Sequence, residues 1–349
     1  MLSYTQSDKV IEQNNYLPWT EKYRPKTLDE IISHGTIIET LKNAIRKNGL
    51  QHLLFHGVPG SGKTSTIMAC ARELYGSKVS LMTLIINASE DRGIEMIRLK
   101  VIPFVTAKNI FSDDNIFKLV ILDEADAMTA DAQAMLRKVI ENYSSTTRFC
   151  LICNYIKKIS LALQSRCACY RFPPLTTESI RTKILYISEK ENISVTEDGM
   201  QTMIKISHGD MRRVINILQS TSMSNNVIDS NSIIKCTGYI NTEHVHMILN
   251  ALLNNTFDTA YSTVCEIKKE FSYTLSDIIT ELSDILINYC KNNDNKIIIK
   301  IDKNKKLTYI NILKILDKMR VMEFNLTTTT TDNIQTVALI GNFNLCLNN

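Results

Sequence analysis

Gly57-Val58-Pro59-Gly60-Ser61-Gly62-Lys63-Thr64 restricts the folds open to this chain more than any other stretch. It follows the apolar run Leu53-Leu54-Phe55 and precedes a helix-like segment, Ser65 to Leu74. A strand feeding a glycine-rich loop that opens a helix is an arrangement for polyphosphate. Glycines let backbone N–H groups close around phosphate oxygens, and the helix N-terminus adds the positive end of its dipole. On this reading Gly57, Val58, Pro59, Gly60, Ser61, Gly62 and Ser65 form the cradle. Lys63 reaches the β- and γ-phosphates, and the Thr64 hydroxyl holds Mg²⁺. A nucleoside triphosphate with Mg²⁺ is the expected ligand.

A chain of 349 residues exceeds the usual single core, so two or three domains are expected. A formal charge of +4 is only mildly basic, so nucleic-acid contact would need a local patch. MLSYTQSDKV lacks the apolar core of a signal peptide, and no run approaches a membrane span. Nine cysteines without secretory context read as reduced thiols of a cytosolic or nuclear protein. Cys150, Cys153, Cys167 and Cys169 have a zinc-like look. However, the odd step from Cys150 to Cys153 within a strand points the two side chains to opposite sheet faces, which predicts core cysteines instead.

Pro18 and Pro25 punctuate residues 15–30, which read as an extended segment laid over a domain. Strand candidates follow at His52–Phe55, Met82–Ile86, Phe117–Leu122, Phe149–Asn154 and Ala168–Phe172, separated by helical stretches. That alternation predicts an α/β domain, a mostly parallel sheet with helices on both faces. Pro173-Pro174 ends the pattern, and only helical periodicity is evident from Thr177 onward. A second change comes near Cys236-Thr-Gly238, before longer helices over 243–254, 257–270, 275–291 and 305–324. The tracts Lys291–Lys296 and Thr327–Thr331 read as loops. The predicted domains are 1–174 (nucleotide-binding), 175–238 (small and helical) and 239–349 (helical).

The run Phe117-Lys-Leu-Val-Ile-Leu ends in Asp123-Glu124-Ala125-Asp126. A strand ending in acids delivers carboxylates to the sheet edge beside the phosphates. Asp123 is then the Mg²⁺ carboxylate and Glu124 the group that polarises the attacking water. The next strand ends at Asn154, an amide able to hold that water or a γ-phosphate oxygen.

With these in order, the chain resembles replication factor C small subunits, the AAA+ ATPases of the eukaryotic sliding-clamp loader. The resemblance rests on Leu17-Pro-Trp-Thr-Glu-Lys-Tyr-Arg-Pro25, the phosphate loop, Asn87-Ala-Ser-Glu-Asp-Arg-Gly93, Asp123-Glu-Ala-Asp126, Ser165-Arg-Cys167 and Gly209-Asp-Met-Arg-Arg213. It spans nearly the whole chain. It implies an AAA+ module, a helical lid and a C-terminal helical collar that assembles with other subunits. It further implies that Thr20, Arg24 and Ile32 line the adenine pocket, that Asn154 is the first sensor, and that Arg212 is the second sensor, touching the γ-phosphate. Arg166 matches an arginine finger acting on the neighbouring subunit's ATP, and Arg92, Arg98 and Lys158 match positions facing backbone phosphates of DNA. The implied partners are the large and other small subunits of the pentamer, the sliding clamp and primer-template DNA, in the nucleus. Two other readings stay open: a ring subunit that holds ATP without turnover, and an AAA+ DNA motor. Arg92 and Arg98 stand about 120° apart if both are helical, so they share a face only if Arg92 sits at the helix start. Pro103 is expected to kink or end that helix, altering the aim of Arg98 and Lys108. Glu90 and Val58 depart from the family's usual aspartate and proline.

Overall fold

The computed structural model describes residues 17–47, 49–107, 117–291, 308–328 and 332–348. Contacts divide the chain into two compact units that meet between Ile233 and Ile234.

The first unit is built on five parallel strands: β1 (Leu53–Gly57), β2 (Thr83–Asn87), β3 (Lys118–Asp123), β4 (Thr147–Cys153) and β5 (Ala168–Phe172). Their order is β2-β3-β4-β1-β5, and every pairing is parallel, as the alternating pattern predicts. Successive side chains take opposite faces, which sorts the core into two layers. Leu53, Phe55, Leu119, Ile121, Cys150 and Ile152 pack under α1 (Gly35–Arg46) and α2 (Lys63–Tyr75). Leu54, Val120, Leu122, Phe149, Leu151 and Cys153 pack on the other face. There they meet α3 (94–106) and α4 (Ala130–Asn142). Cys150 and Cys153 thus lie in different cores, and no metal-ligating cluster exists among the described residues.

Of the two outcomes expected at Pro103, a kink or an end, helix α3 does not end there. It continues to Thr106, with Ile97–Val101 wound as a π-type turn. The Ile102 N–H bonds back to the Ile97 carbonyl, and the widened turn accommodates the ring and missing N–H of Pro103. Lys108 lies outside the described residues.

The remainder of this unit is helical: α5 (Thr177–Glu191), α6 (Glu197–Ser207), α7 (Met211–Ser222) and α8 (Ser230–Thr237). A two-residue parallel pairing of Ser194–Val195 with Val227–Ile228, invisible to helical periodicity, ties the loops after α5 and α7. Thr176, Thr196 and Asp210 cap the starts of α5, α6 and α7 through side-chain oxygens.

Residues 15–30 are not simply extended. Trp19–Lys22 forms one helical turn, with Glu21 and Lys22 N–H groups on the Pro18 carbonyl. Pro18 and Pro25 bracket the turn, since proline is tolerated at a helix start and disfavours helical backbone in the residue before it. The turn is fastened to α5 and α7 rather than laid over the sheet. The Trp19 N–H donates to Gln219 Oε1 at 3.0 Å, and Lys22 pairs with Glu191 at 2.6 Å. Tyr23 donates to the same carboxylate and meets Tyr186 edge to face.

The second unit is a helical body of α9 (Thr242–Asn254), α10 (Phe257–Phe271), α11 (Leu275–Lys291), α12 (Tyr309–Thr328) and α13 (Asp332–Asn348). Its core joins Leu249, Leu252, Ile278, Leu282, Ile315, Met319 and Phe343. Helix α12 runs on through Thr327 and Thr328, and α13 adds a helix that the polar threonine tract obscures. Residues 292–296 of the expected loop lie outside the described residues.

Candidate nucleotide site

The C-terminal ends of the adjacent strands β3, β4 and β1 bring their polar residues to one place. Two glycines at the end of β1 show why the loop tolerates no side chain there. A Cβ on Gly57 would stand 2.0 Å from the Phe172 carbonyl oxygen. Gly60, at φ +66°, would place one 1.7 Å from an Asp210 carboxylate oxygen. His34, itself left-handed at φ 62°, holds the loop from the other side: its Nε2 lies 3.1 Å from the Ser61 carbonyl. A carbonyl only accepts, so Nε2 carries the proton. Burial lowers the pKa of this ring, and the bond to Ser61 opposes that shift.

Lys63 opens α2 and is 7% exposed. Its ammonium donates to the carbonyls of Gly57 and Val58 at 2.9 and 2.8 Å, and to Asn154 Oδ1 at 3.0 Å. Burial pulls its pKa down, and the Asp123 charge opposes that shift. The Thr64 hydroxyl donates to Asp123 Oδ2 at 2.8 Å, while Asp123 Oδ1 accepts the Glu124 N–H at 2.9 Å. Glu124 is a non-glycine residue at φ 54°, strained backbone of the sort that persists at functional sites. An alcohol and a carboxylate are hard oxygen donors, which fit Mg²⁺ and not a softer metal.

A cavity of about 320 Å³ opens over this cluster. Its wall includes Thr20, Arg24, Ile32, Pro59, Gly60, Ser61, Gly62, Lys63, Thr64, Ser65, Asp123, Glu124, Asn154 and Arg212, all expected from the sequence. Gly57 and Val58 stand behind the loop, holding Lys63 through their carbonyls. The sequence reading missed Tyr23, Glu30, Ser179, Lys183 and Asn216, which also line the cavity. It missed the role of Asp210 too, although the residue stands beside Arg212 and has an N-cap signature. Asp210 Oδ1 accepts the Arg212 N–H at 2.8 Å while its carboxylate rests against Gly60. Tyr23 lies within the Leu17–Pro25 segment but carried no role there, and the other four are isolated polar residues without a local motif.

Four expected residues lie elsewhere. Arg166 follows the short helix Leu161–Gln164 and lines a separate recess with Leu50, His52, Ser144 and Arg148. Its guanidinium pairs with Glu141 of α4 at 2.5 Å and donates to the Ala162 carbonyl at 2.7 Å. Arg92 lies just before the Gly93 N-cap of α3, and its carbonyl accepts the Thr129 N–H. Arg98 is half exposed and pairs with Glu95 at 2.8 Å. Lys158 ends a short turn, with its ammonium 5.4 Å from the Tyr155 ring centre.

Comparisons with known proteins agree with this architecture. Residues 53–175 match the family model for ATPases associated with various cellular activities, and residues 240–342 match the replication factor C C-terminal domain. The chain is 42% identical over 336 residues to a probable replication factor C subunit 5 of Dictyostelium discoideum, covering 96% of this chain and 92% of that protein. It is 43% identical over 328 residues to replication factor C subunit 5 of Homo sapiens, covering 94% and 91%. Replication factor C subunit 3 of Schizosaccharomyces pombe is 38% identical over 334 residues, covering 96% and 92%. Among solved structures, the Thermotoga maritima RuvB branch migration motor superposes with a TM-score of 0.50 at 17% identity. That match covers 66% of this chain and 79% of that one, and it speaks to the fold alone. A nucleotide-binding P-loop domain of the AAA+ type, joined to a replication factor C C-terminal domain in near-full-length relatives, makes this chain an ATP hydrolase of the clamp-loader assembly. The chain belongs to the replication factor C small-subunit family.

Proposed function

We propose that this subunit binds ATP with Mg²⁺ in the cavity over the phosphate loop. We further propose that it couples hydrolysis to opening and loading a sliding clamp on primer-template DNA. The observation that carries the reading is the convergence of Lys63, Thr64, Asp123 and Asn154 through hydrogen bonds of 2.8 to 3.0 Å. Thr64 and Asp123 would hold Mg²⁺, which supplies positive charge beside the phosphates. Glu124 polarises the water that attacks the γ-phosphate, Asn154 positions it, and Lys63 and Arg212 hold the phosphate oxygens. Arg166 serves the neighbouring subunit, since it lines a recess separate from this chain's own cavity. Arg92, Arg98 and Lys158 contact DNA phosphates without reading sequence, consistent with a chain of +4 net charge and local basic sites.

Residues 1–174, 175–238 and 239–349 then act as AAA+ module, lid and collar, the last meeting other subunits. A replication role fits a nuclear protein, and no described helix is long and apolar enough to cross a membrane. The test is ATP turnover by the chain alone, by the assembled loader, and by the loader with clamp and primed DNA. Turnover that rises at each step supports this reading. An assembled loader whose turnover does not depend on this chain's phosphate loop leaves the ATP-holding subunit. Stimulation by DNA alone, without need of a clamp, leaves the DNA motor.

A further inference from the structure

Lys183 on α5 is 8% exposed and stands on the wall of the nucleotide cavity. It makes no hydrogen bond or ion pair among the described residues. Its ammonium lies 5.1 Å from the centre of the Tyr186 ring, which attracts a cation but accepts no strong hydrogen bond. Burial pulls its pKa down, and the field of the Glu30 carboxylate, on the same cavity wall, pulls it back up. A buried ammonium without acceptors is costly, and a ligand that brings acceptors offsets the cost.

The place of Lys183 along the cavity says which part of the ligand it meets. The start of α5 lies by the phosphate loop, since Leu175 contacts the Gly209 carbonyl and Met211 contacts that of Gly60. Lys183 is six residues beyond Thr177, where α5 begins, or about 9 Å along the helix axis. Tyr23, Glu30 and Ile32 line the same cavity, and the Glu30 charge acts directly on Lys183.

We propose that Lys183 and Glu30 read the nucleobase, Lys183 donating to a ring nitrogen of adenine and Glu30 accepting from its exocyclic amine. The chemistry favours adenine on this edge. Lys183 is a donor only. The Glu30 carboxylate is an acceptor only, with one oxygen engaged by the Lys26 N–H at 2.7 Å. Adenine offers an acceptor nitrogen beside a donor amine, whereas guanine offers two acceptors, N7 and O6, on the corresponding edge. A guanine there leaves Glu30 facing an acceptor. Lys183 finds an acceptor on either base, so the selection falls to Glu30, which accepts from the adenine amine and opposes the guanine O6.

This assignment rests on the cavity being the triphosphate site, so the experiment separates the two. Full-length wild type, Lys183→Met, Glu30→Gln and Lys63→Ala are titrated with ATP, GTP and inorganic tripolyphosphate. Lys183→Met should weaken ATP about tenfold or more and leave tripolyphosphate unchanged, while Glu30→Gln should reduce the ATP:GTP preference. Lys63→Ala should weaken all three ligands. An equal loss for tripolyphosphate in Lys183→Met, or an unchanged ATP:GTP preference in Glu30→Gln, overturns base reading while leaving the site itself intact. Insensitivity of every ligand to Lys63→Ala overturns the site. Unfolding of the ligand-free variants checks the fold, which a buried Lys→Met change is expected to preserve. Should that variant not fold, Glu30→Gln at an exposed position decides alone: a narrowed ATP:GTP preference supports base reading, and an unchanged one overturns it.

Discussion

At the phosphate loop, Lys63 is 7% exposed and three oxygens of the same chain receive its ammonium. At the recess behind α4, the Arg166 side chain is 35% exposed and its one carboxylate partner, Glu141, is shared with Arg137 at 3.3 Å. The first site is wrapped by the chain that owns it, and its charges are desolvated and fixed. The second presents a cation at the surface through an ion pair of a kind worth ~1 kcal/mol or less. An arginine so weakly held exchanges Glu141 for another anion at little cost. The contrast suits a subunit that binds its own nucleotide and lends a charge to another's.

Removing the charge that Arg166 is proposed to lend gives the largest expected effect. Arg166→Ala should leave ATP binding by this chain intact and slow hydrolysis at the adjacent subunit's site by on the order of 10³-fold or more. A loader in which only the neighbour's site can turn over is the assay. Normal turnover there, or loss of ATP binding by the variant chain, removes the distinction between the two regions. Within the cavity, Glu124→Gln should retain ATP and slow single-turnover hydrolysis by ~10²-fold or more, because an amide keeps the size but not the pull on water. A rate near wild type would show that Glu124, despite its φ of 54°, is not the catalytic carboxylate.

The phosphate-binding half of the cavity was legible because each of its parts is local. Gly57–Thr64 is one loop, Asp123 and Asn154 terminate strands, and the strands announce themselves by composition. The rest of the wall was not, because Glu30, Lys183 and Asn216 come from segments far apart in the chain that only the fold brings together. The turn at Trp19–Lys22 escaped for the same reason: Gln219 and Glu191 stabilise it from far along the chain. At α3 a local rule told only part of the story. Proline was expected to kink or end the helix, and a π-type turn before it carries the helix on to Thr106.

Arg98 and Lys158 extend the comparison to a third setting, surface cations with neither burial nor an adjoining recess. Reversing both to Glu should lower the affinity of the loader for primed DNA to a similar degree for unrelated sequences. It should also reduce the slope of log K against log salt by about two. Arg98 already pairs with Glu95, so part of the wild-type contact is spent on breaking that pair, and the loss per residue is modest. A sequence-dependent loss, or an unchanged slope, would remove these residues from the DNA path.

The smallest expected effect sharpens the contrast from inside the recess. His52 lines it beside Arg166, with its Nδ1 accepting the Phe149 N–H at 3.2 Å. That bond needs a neutral ring nitrogen. Burial, and then the Arg148 charge, lower the His52 pKa from 6.5 to about 4. Between those values the unfolded chain binds the proton and the folded chain does not, so stability falls as pH falls through that window. Above pH 6.5 both states are neutral and the contribution is fully present. For a partly solvated ring the loss should be about 1–2 kcal/mol, below the full linkage value. His52→Asn places an amide oxygen where Nδ1 stood, able to accept the same N–H without titrating. Urea unfolding at pH 7 and pH 5 should therefore show a smaller drop in the variant. His34 and His56 are also shifted down by burial and titrate with the same sign in both proteins, so the difference isolates His52. ATP affinity at pH 7 should not change, because the recess is separate from the nucleotide cavity. Equal pH sensitivity in the two proteins would mean that the Phe149 bond does not depend on a neutral His52. Weakened ATP binding would mean that the two regions are not independent.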